Sequence, residues 1–136
     1  MNSGRVIITI TGLVGAVFFA HAASADTGYD TCMETAMTSY EMSQCGVAWN
    51  KRAENSLAKG WRAAMDSVGG KDSEAGKSLL TEQRAWIKFK DLSCGFYYAN
   101  SFGSMHRSVF APQCRNKIIE TRASQLADIA AGLEVK

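Results

Sequence analysis

The chain has one proline in 136 residues, and after residue 25 no run of β-branched side chains appears. Both scarcities argue against a sheet-built domain. It also lacks an excess of one charge, with 15 Lys and Arg against 13 Asp and Glu. That balance gives no electrostatic basis for binding nucleic acid or an anionic membrane surface. No two cysteines stand close together. The four are separated by 13, 49 and 20 positions, and His106 is the only histidine after residue 25, which disfavours zinc, whose sites bring closely spaced ligand pairs. No G-x-S-x-G elbow, phosphate-binding glycine loop or H-E-x-x-H motif is present. With the thiols better used in bridges, Cys–His catalysis is disfavoured as well. A carboxylate pair from Glu82 and Asp91 would sit nine positions apart on one helix, a poor arrangement for hydrolysis. Catalysis is therefore not expected, and neither a cofactor nor a metal.

The first 25 residues have a distinct character. Arg5 is followed by an apolar stretch from Val6 to Ala20 and then by Ala23-Ser24-Ala25. This is the order of a secretory signal peptide and its cleavage site. The stretch falls short of the ~20 apolar residues of a spanning helix, so cleavage is expected over retention as an anchor. Asp26 follows the cut, and no cysteine is placed there for lipid attachment. Residues 26–136 then form a single domain of 111 residues, with no stable membrane insertion. An even set of four cysteines in a short exported chain reads as two disulfides. The expected location is the bacterial periplasm or the medium.

The fold class predicted is all-α, with three main helices at about 38–68, 74–100 and 112–132. Thr38-Ser39-Tyr40-Glu41 is a T-x-x-E capping box that opens the first. Met42, Cys45, Trp49, Ala53, Leu57, Trp61, Met65 and Val68 follow at steps of three or four, one apolar stripe of a long helix. Gly69-Gly70 stops it. The second helix carries Leu79/Leu80, Gln83, Trp86/Ile87, Lys90, Cys94 and Tyr97/Tyr98 inward. Phe89 and Phe96 lie off that stripe, an indication of cover on a second side. Residues 101–111 read as a loop, and Pro112 suits the first turn of the third helix. Its inward stripe is Cys114, Ile118, Arg122, Leu126 and Ile129, with Ile119 flanking. Residues 26–37 read as a lead-in tied down by Cys32.

Four cysteines allow three pairings. Cys94 and Cys114 flank one loop, and Cys32 can fold back onto Cys45, so Cys32–Cys45 with Cys94–Cys114 is favoured. Gln83, Arg84, Asp91 and Arg122 are expected to form a structural polar network, with Asp91 meeting Lys88 or Arg122. The surface candidate is the segment from Gly95 to Ala111. Tyr97, Tyr98, Asn100, Ser101, Ser104, His106 and Arg107 lie in or beside it, residue types that combine contact area with adaptable hydrogen bonds. The competing expectation is that Tyr97, Tyr98 and Phe102 are core residues and the remainder a solvated loop.

Taken in order, Cys32, Ala36, Thr38, Glu41-Met42, Cys45, Ala53, Leu57, Trp61 and Met65 form a pattern. It continues with Gln83-Arg84-Ala85-Trp86-Ile87-x-Phe89-x-Asp91-x-x-Cys94, Gly103-Ser104 and Cys114-x-x-x-Ile118-x-x-x-Arg122-x-x-x-Leu126. The pattern resembles the LprI-type lysozyme-inhibitor family of small exported bacterial domains, across nearly all of residues 26–136. Lys90 stands where Arg is common, Trp61 where Tyr is common and Ala58 where Asn is frequent, all mild departures. The resemblance implies a helical fold and a non-enzymatic protein whose partner is a lysozyme, protecting peptidoglycan during contact with a host. The alternative is an envelope-maintenance module that binds another periplasmic protein. No feature of the sequence sets an oligomeric state.

Overall fold

The computed structural model describes residues 26–134; residues 1–25, expected to be a signal peptide, lie outside them. Four α-helices follow one another: α1 (Thr27–Thr35), α2 (Ser39–Ser67), α3 (Glu74–Ser93) and α4 (Ala111–Glu134). A 3-10 turn at Gly95–Tyr98 and a π turn at His106–Phe110 lie between α3 and α4. No strand occurs among the described residues.

The residues expected to be a lead-in form α1. Asp26 caps it by accepting from the Tyr29 N–H at 2.6 Å, and its other oxygen accepts from Arg52 Nε at 2.8 Å. Arg52 foremost holds the Asp26 carboxyl below its ordinary pKa; burial opposes it less strongly, and the Tyr29 cap adds to the lowering. Tyr29 is buried with its ring 4.7 Å from that of Trp49. Cys32 is bridged to Cys45. Partner positions fall along α1 as they rise along α2 in reverse order (26 with 52, 29 with 49, 32 with 45), so the two helices run antiparallel.

The capping box is formed. Thr38 Oγ1 accepts from the Glu41 N–H at 3.2 Å, and Glu41 Oε2 accepts from the Thr38 and Met37 N–H groups at 2.9 and 2.8 Å. Those donors, Met37 first, hold the Glu41 carboxyl below its ordinary pKa. At the other end Gly69 and Gly70 have φ of 83° and 79°, a region open to glycine at no steric cost. The Gly70 N–H reaches back to the Met65 carbonyl at 2.8 Å, the closing bond of a Schellman motif. Ser73 then caps α3, accepting from the Gly76 N–H at 2.9 Å.

Helices α2 and α4 make the core, and they run parallel. Gly46 faces Pro112, and Gly60 faces Ala123 and Leu126. Gly46, Ala53 and Gly60 are spaced by seven, a repeat that keeps one narrow seam against a neighbouring helix. Small residues there let α4 come close. A Cβ on Gly60 would stand 2.9 Å from the Ala123 carbonyl oxygen. Trp49, Ala53, Leu57 and Ala64 of α2 pack with Ile119, Ala123 and Leu126 of α4. Ile119, expected to flank, is at the centre of the α4 face, with Ile118 only partly buried. Asn116 is 1% exposed; its Nδ2 donates to the Gly46 carbonyl at 3.0 Å and its Oδ1 accepts from Asn50 at 2.8 Å. Full burial of a side chain such as Ile119 or Leu126 contributes about 1.5–3 kcal/mol.

Helix α3 runs antiparallel to α4 and is tied to it by polar rungs. Arg122, 4% exposed, donates from Nε to Gln83 Oε1 at 2.9 Å and from NH1 to Glu82 Oε1 at 2.6 Å. Asp91 meets neither Lys88 nor Arg122. It pairs with Arg115 at 3.3 Å and with Lys90 at 3.9 Å, because α4 presents residue 115 beside the disulfide-bonded end of α3. Lys90 also reaches Glu54 of α2 at 3.6 Å and lies over the Trp86 ring at 5.6 Å. Arg84 is exposed. Phe89 and Phe96, expected to be covered, are exposed as well.

Two boundaries differ from expectation. The second long helix ends at Ser93, not near residue 100, because Cys94 is held by its bridge and Gly95 follows. Helix α4 opens at Ala111, one residue from the expected 112, but residues 101–111, expected to be a loop, are helical from Ser104: the Ala111 N–H bonds to the His106 carbonyl, five residues back. This wider π turn comes just before Pro112, whose missing N–H and bulky ring suit an interruption of the regular ladder.

Candidate functional site

The segment between α3 and α4 is closed by the Cys94–Cys114 bridge, with Cα atoms 5.9 Å apart. Within it the aromatic side chains stack on one another. Phe96 lies 4.8 Å from both Tyr97 and Phe102, Phe102 lies 4.6 Å from His106, and His106 lies 5.3 Å from Phe110. Tyr97 closes the ring of contacts onto Phe110 at 6.3 Å. Each pair falls within the 4.5–7 Å range in which aromatic contacts add about 0.5–1.5 kcal/mol beyond buried area. Outside the segment, the Arg115–Asp91–Lys90–Glu54 chain joins α4, α3 and α2. The segment itself is held by a covalent clamp and an aromatic cluster.

The seven residues expected in a binding surface divide in two. Tyr98, Asn100, Ser101, Ser104 and Arg107 are exposed, while Tyr97 and His106 are partly buried within the knot. His106 Nδ1 is enclosed and has no hydrogen-bond partner. His106 is thus a packing member between Phe102 and Phe110, not a free loop side chain. Phe96, Phe102 and Phe110 were the residues sequence reasoning undervalued. The available signal was the density of aromatic rings between two cysteines. Of the four residues placed in a polar network, the structure brings Gln83 and Arg122 together and leaves Arg84 and Asp91 apart from them.

Both bridges lie at the same end of the bundle. Cys45 precedes Gly46, which faces Pro112, two positions before Cys114. Two shallow grooves occur elsewhere, one lined by Lys77, Ser78, Thr81 and Glu82, the other by Cys32, Thr35, Ala36, Glu41, Gln44 and Cys45. None of the seven loop residues lines either groove. Glu82 and Asp91, the one carboxylate pair considered for hydrolysis, are each engaged by a different arginine. Among the described residues all cysteines are bridged and no group of His, Cys, Asp and Glu is arranged to hold a metal. No described helix is long and apolar enough to cross a membrane.

Fold and site together define a small disulfide-pinned helical domain that displays a clamped aromatic loop at one end. The chain belongs to the lysozyme inhibitor LprI family, whose model matches residues 32–126, from the first cysteine to the buried Leu126 of α4. No curated protein and no solved structure matches the chain.

Proposed function

We propose that this protein is a non-enzymatic, exported lysozyme inhibitor that protects peptidoglycan by inserting its 95–111 loop into a lysozyme cleft. The observation that carries the reading is the loop's construction. A disulfide and an aromatic knot hold a segment from which Tyr98, Asn100, Ser101, Ser104 and Arg107 project into solvent. Preordering of this kind reduces the entropy lost on binding. Glycoside hydrolysis by a lysozyme depends on a carboxylate pair flanking the scissile bond. Arg107 supplies a guanidinium fork matched to a carboxylate, Ser104 a hydroxyl, and Tyr98 an aromatic contact for the cleft wall. Membership of a lysozyme-inhibitor family supports the same partner. The near balance of charge implies that the complex is not driven by long-range steering, so its affinity rests on these direct contacts.

The test is clearance of a cell-wall suspension by lysozyme in the presence of residues 26–136, purified with both bridges intact. Inhibition near molar equivalence is expected, weakened by Arg107→Ala and by Tyr98→Ala with no loss of thermal stability. Unchanged lysozyme activity at molar excess refutes the reading for the enzyme tested.

A further inference from the structure

Exposed apolar side chains are confined to one end of the bundle. Among the described residues, every exposed large hydrophobic lies within 37–47 or 87–110, and none lies within 48–86 or 111–132. Because α2 and α4 run parallel and α3 antiparallel, those two stretches meet at the end that holds both bridges. Asn50 bonds to Asn116 across a sequence separation of 66, a register that puts Tyr40 at the level of His106 in the clamped segment. Tyr40 is 72% exposed and Met37 85%. They stand on a fixed support, the joint of α1 and α2. Cys32–Cys45 crosses the joint, and the Met37 N–H donates to Glu41 at 2.8 Å. Gln113 Nε2 donates to Tyr29 Oη at 3.1 Å, which links α1 to the first turn of α4 just beyond the loop.

Charge is balanced over the domain but not along it. Residues 26–50 hold Asp26, Asp30, Glu34 and Glu41 with no lysine or arginine, whereas residues 51–136 hold 14 basic against nine acidic side chains. Asp26 is paired with Arg52. Asp30, Glu34 and Glu41 are exposed and, among the described residues, none of the three is in an ion pair. Asp30 and Glu34, four apart, share a face of α1. Met37 and Tyr40 therefore have an acidic rim.

We infer that Met37 and Tyr40 form a second contact surface for the lysozyme, and that it fits an enzyme with a basic patch beside its cleft. The inference rests on the lysozyme reading above and extends its footprint. Size is the first argument. A standard interface takes about 20–30 residues from each partner, more than residues 95–111 can supply, so the complex draws on further surface at the same end. Composition is the second. Tyr and Met are enriched in interface centres, and charged groups belong to the rim. Charge complementarity is the third. Cell walls are anionic, so an enzyme steered onto them carries positive charge, and the unpaired carboxylates around Met37 and Tyr40 meet that charge and fix the register of docking. The bridge and the capping box hold this surface in place before binding, which lowers the ordering cost.

Titration calorimetry of oxidised residues 26–136 with a lysozyme of net positive charge, run beside the cell-wall clearance assay, tests the inference. Asp30→Asn with Glu34→Gln should weaken binding roughly tenfold at about 20 mM salt and far less at about 0.5 M, where exposed charges are screened. Tyr40→Ala should weaken it by about fivefold or more at both. These side chains are exposed, so the melting temperature should be retained. Asp66→Asn with Asp72→Asn removes as much charge from exposed positions at the opposite end, and it should leave binding unchanged. Binding as tight as the parent's in the Asp30/Glu34 and Tyr40 variants overturns the inference, and so does an equal loss from the Asp66/Asp72 variant. No binding at all overturns it together with the lysozyme reading for that enzyme. Binding that the Asp30/Glu34 and Tyr40 variants weaken, to an enzyme that stays active, supports this surface and refutes insertion of the loop.

Discussion

Gly60 of α2 lies so close to Ala123 of α4 that an added Cβ would stand 2.9 Å from the Ala123 carbonyl oxygen and 3.2 Å from Leu126 Cβ. The nearest atom is backbone and cannot swing aside. Gly60→Ala therefore forces the two core helices apart, and overpacking of this kind costs about 1–3 kcal/mol. Alanine's better helix propensity returns only about 1 kcal/mol. Gly132, in α4 with nothing within 4 Å of its Cβ position, provides the opposite case. Gly132→Ala should stabilise by up to about 1 kcal/mol. Urea unfolding of the two variants should move the midpoint in opposite directions.

That pair also marks what the sequence could and could not disclose. The capping box at Thr38–Glu41 and the Gly69-Gly70 stop are local devices, satisfied within one turn, and both read directly from the residue order. The Cys94–Cys114 bridge followed from two cysteines flanking one connection. Gly46 and Gly60 were silent, because a glycine inside a helical pattern registers as a local cost and its reason lies on another helix. Asp91 was given the wrong partner for the same reason. Lys88 is near in sequence, but Arg115 is brought alongside by a bridge between α3 and α4. Pro112 was read as a first-turn residue because its fixed φ and missing N–H suit that position, and α4 does open one residue before it, at Ala111. The π turn ahead of it has no local sequence signal, so residues 104–110 read as loop. Of the loop, its position and clamp were legible; its aromatic contacts required the stacking of Phe96, Phe102, His106 and Phe110 in three dimensions.

The buried contact between Arg122 and Gln83 should behave as a unit. Gln83→Leu removes the acceptor of Arg122 Nε and leaves a guanidinium 4% exposed with one bond fewer. A hydrogen bond to a charged group contributes about 1.5–3 kcal/mol, and a loss of that size is expected. Arg122→Met in the same chain removes the guanidinium left with an unmet donor, together with its Glu82 contact, and replacing a buried polar pair by apolar groups is often close to neutral. The double variant should thus be more stable than Gln83→Leu alone. A double-mutant cycle by chemical unfolding measures the coupling, and simple additivity of the two losses would contradict it.

The Asp26–Arg52 pair ties the start of α1 to α2 and carries a pH signature. Arg52 is the main cause of a folded-state pKa below the ordinary carboxylate value of 3.8. A depressed carboxyl stabilises the fold at pH above its unfolded value and loses that contribution as pH falls through the folded one. Arg52 is nearly half exposed, so screening reduces the contribution to on the order of 1 kcal/mol or less. Arg52→Gln should destabilise the protein at pH 7 and have little effect near pH 2. Thermal melts of the two proteins at both pH values test the sign, and an equal deficit at both would show that the pair acts through packing alone.

The Cys94–Cys114 bridge closes a segment with a sequence separation of 20, and its removal should separate the stability of the loop from that of the bundle. A bridge of this span contributes about 2–4 kcal/mol by limiting the unfolded chain. The α2–α4 core does not include it, since Trp49, Leu57, Ile119 and Leu126 pack with one another independently. Cys94→Ser with Cys114→Ser should therefore leave the helical content near that of the parent while lowering the melting temperature. The aromatic knot spans 3-10, turn and π-turn backbone, none of it part of a long regular ladder. Without the clamp, amide exchange across residues 95–110 should quicken far more than exchange in α2, where helix bonds and core packing persist. Uniform acceleration in both regions would mean that the bridge stabilises the domain globally and that the knot holds its shape unaided. If the loop contacts a lysozyme in its clamped form, the same variant should lose inhibition at temperatures where its bundle is still folded.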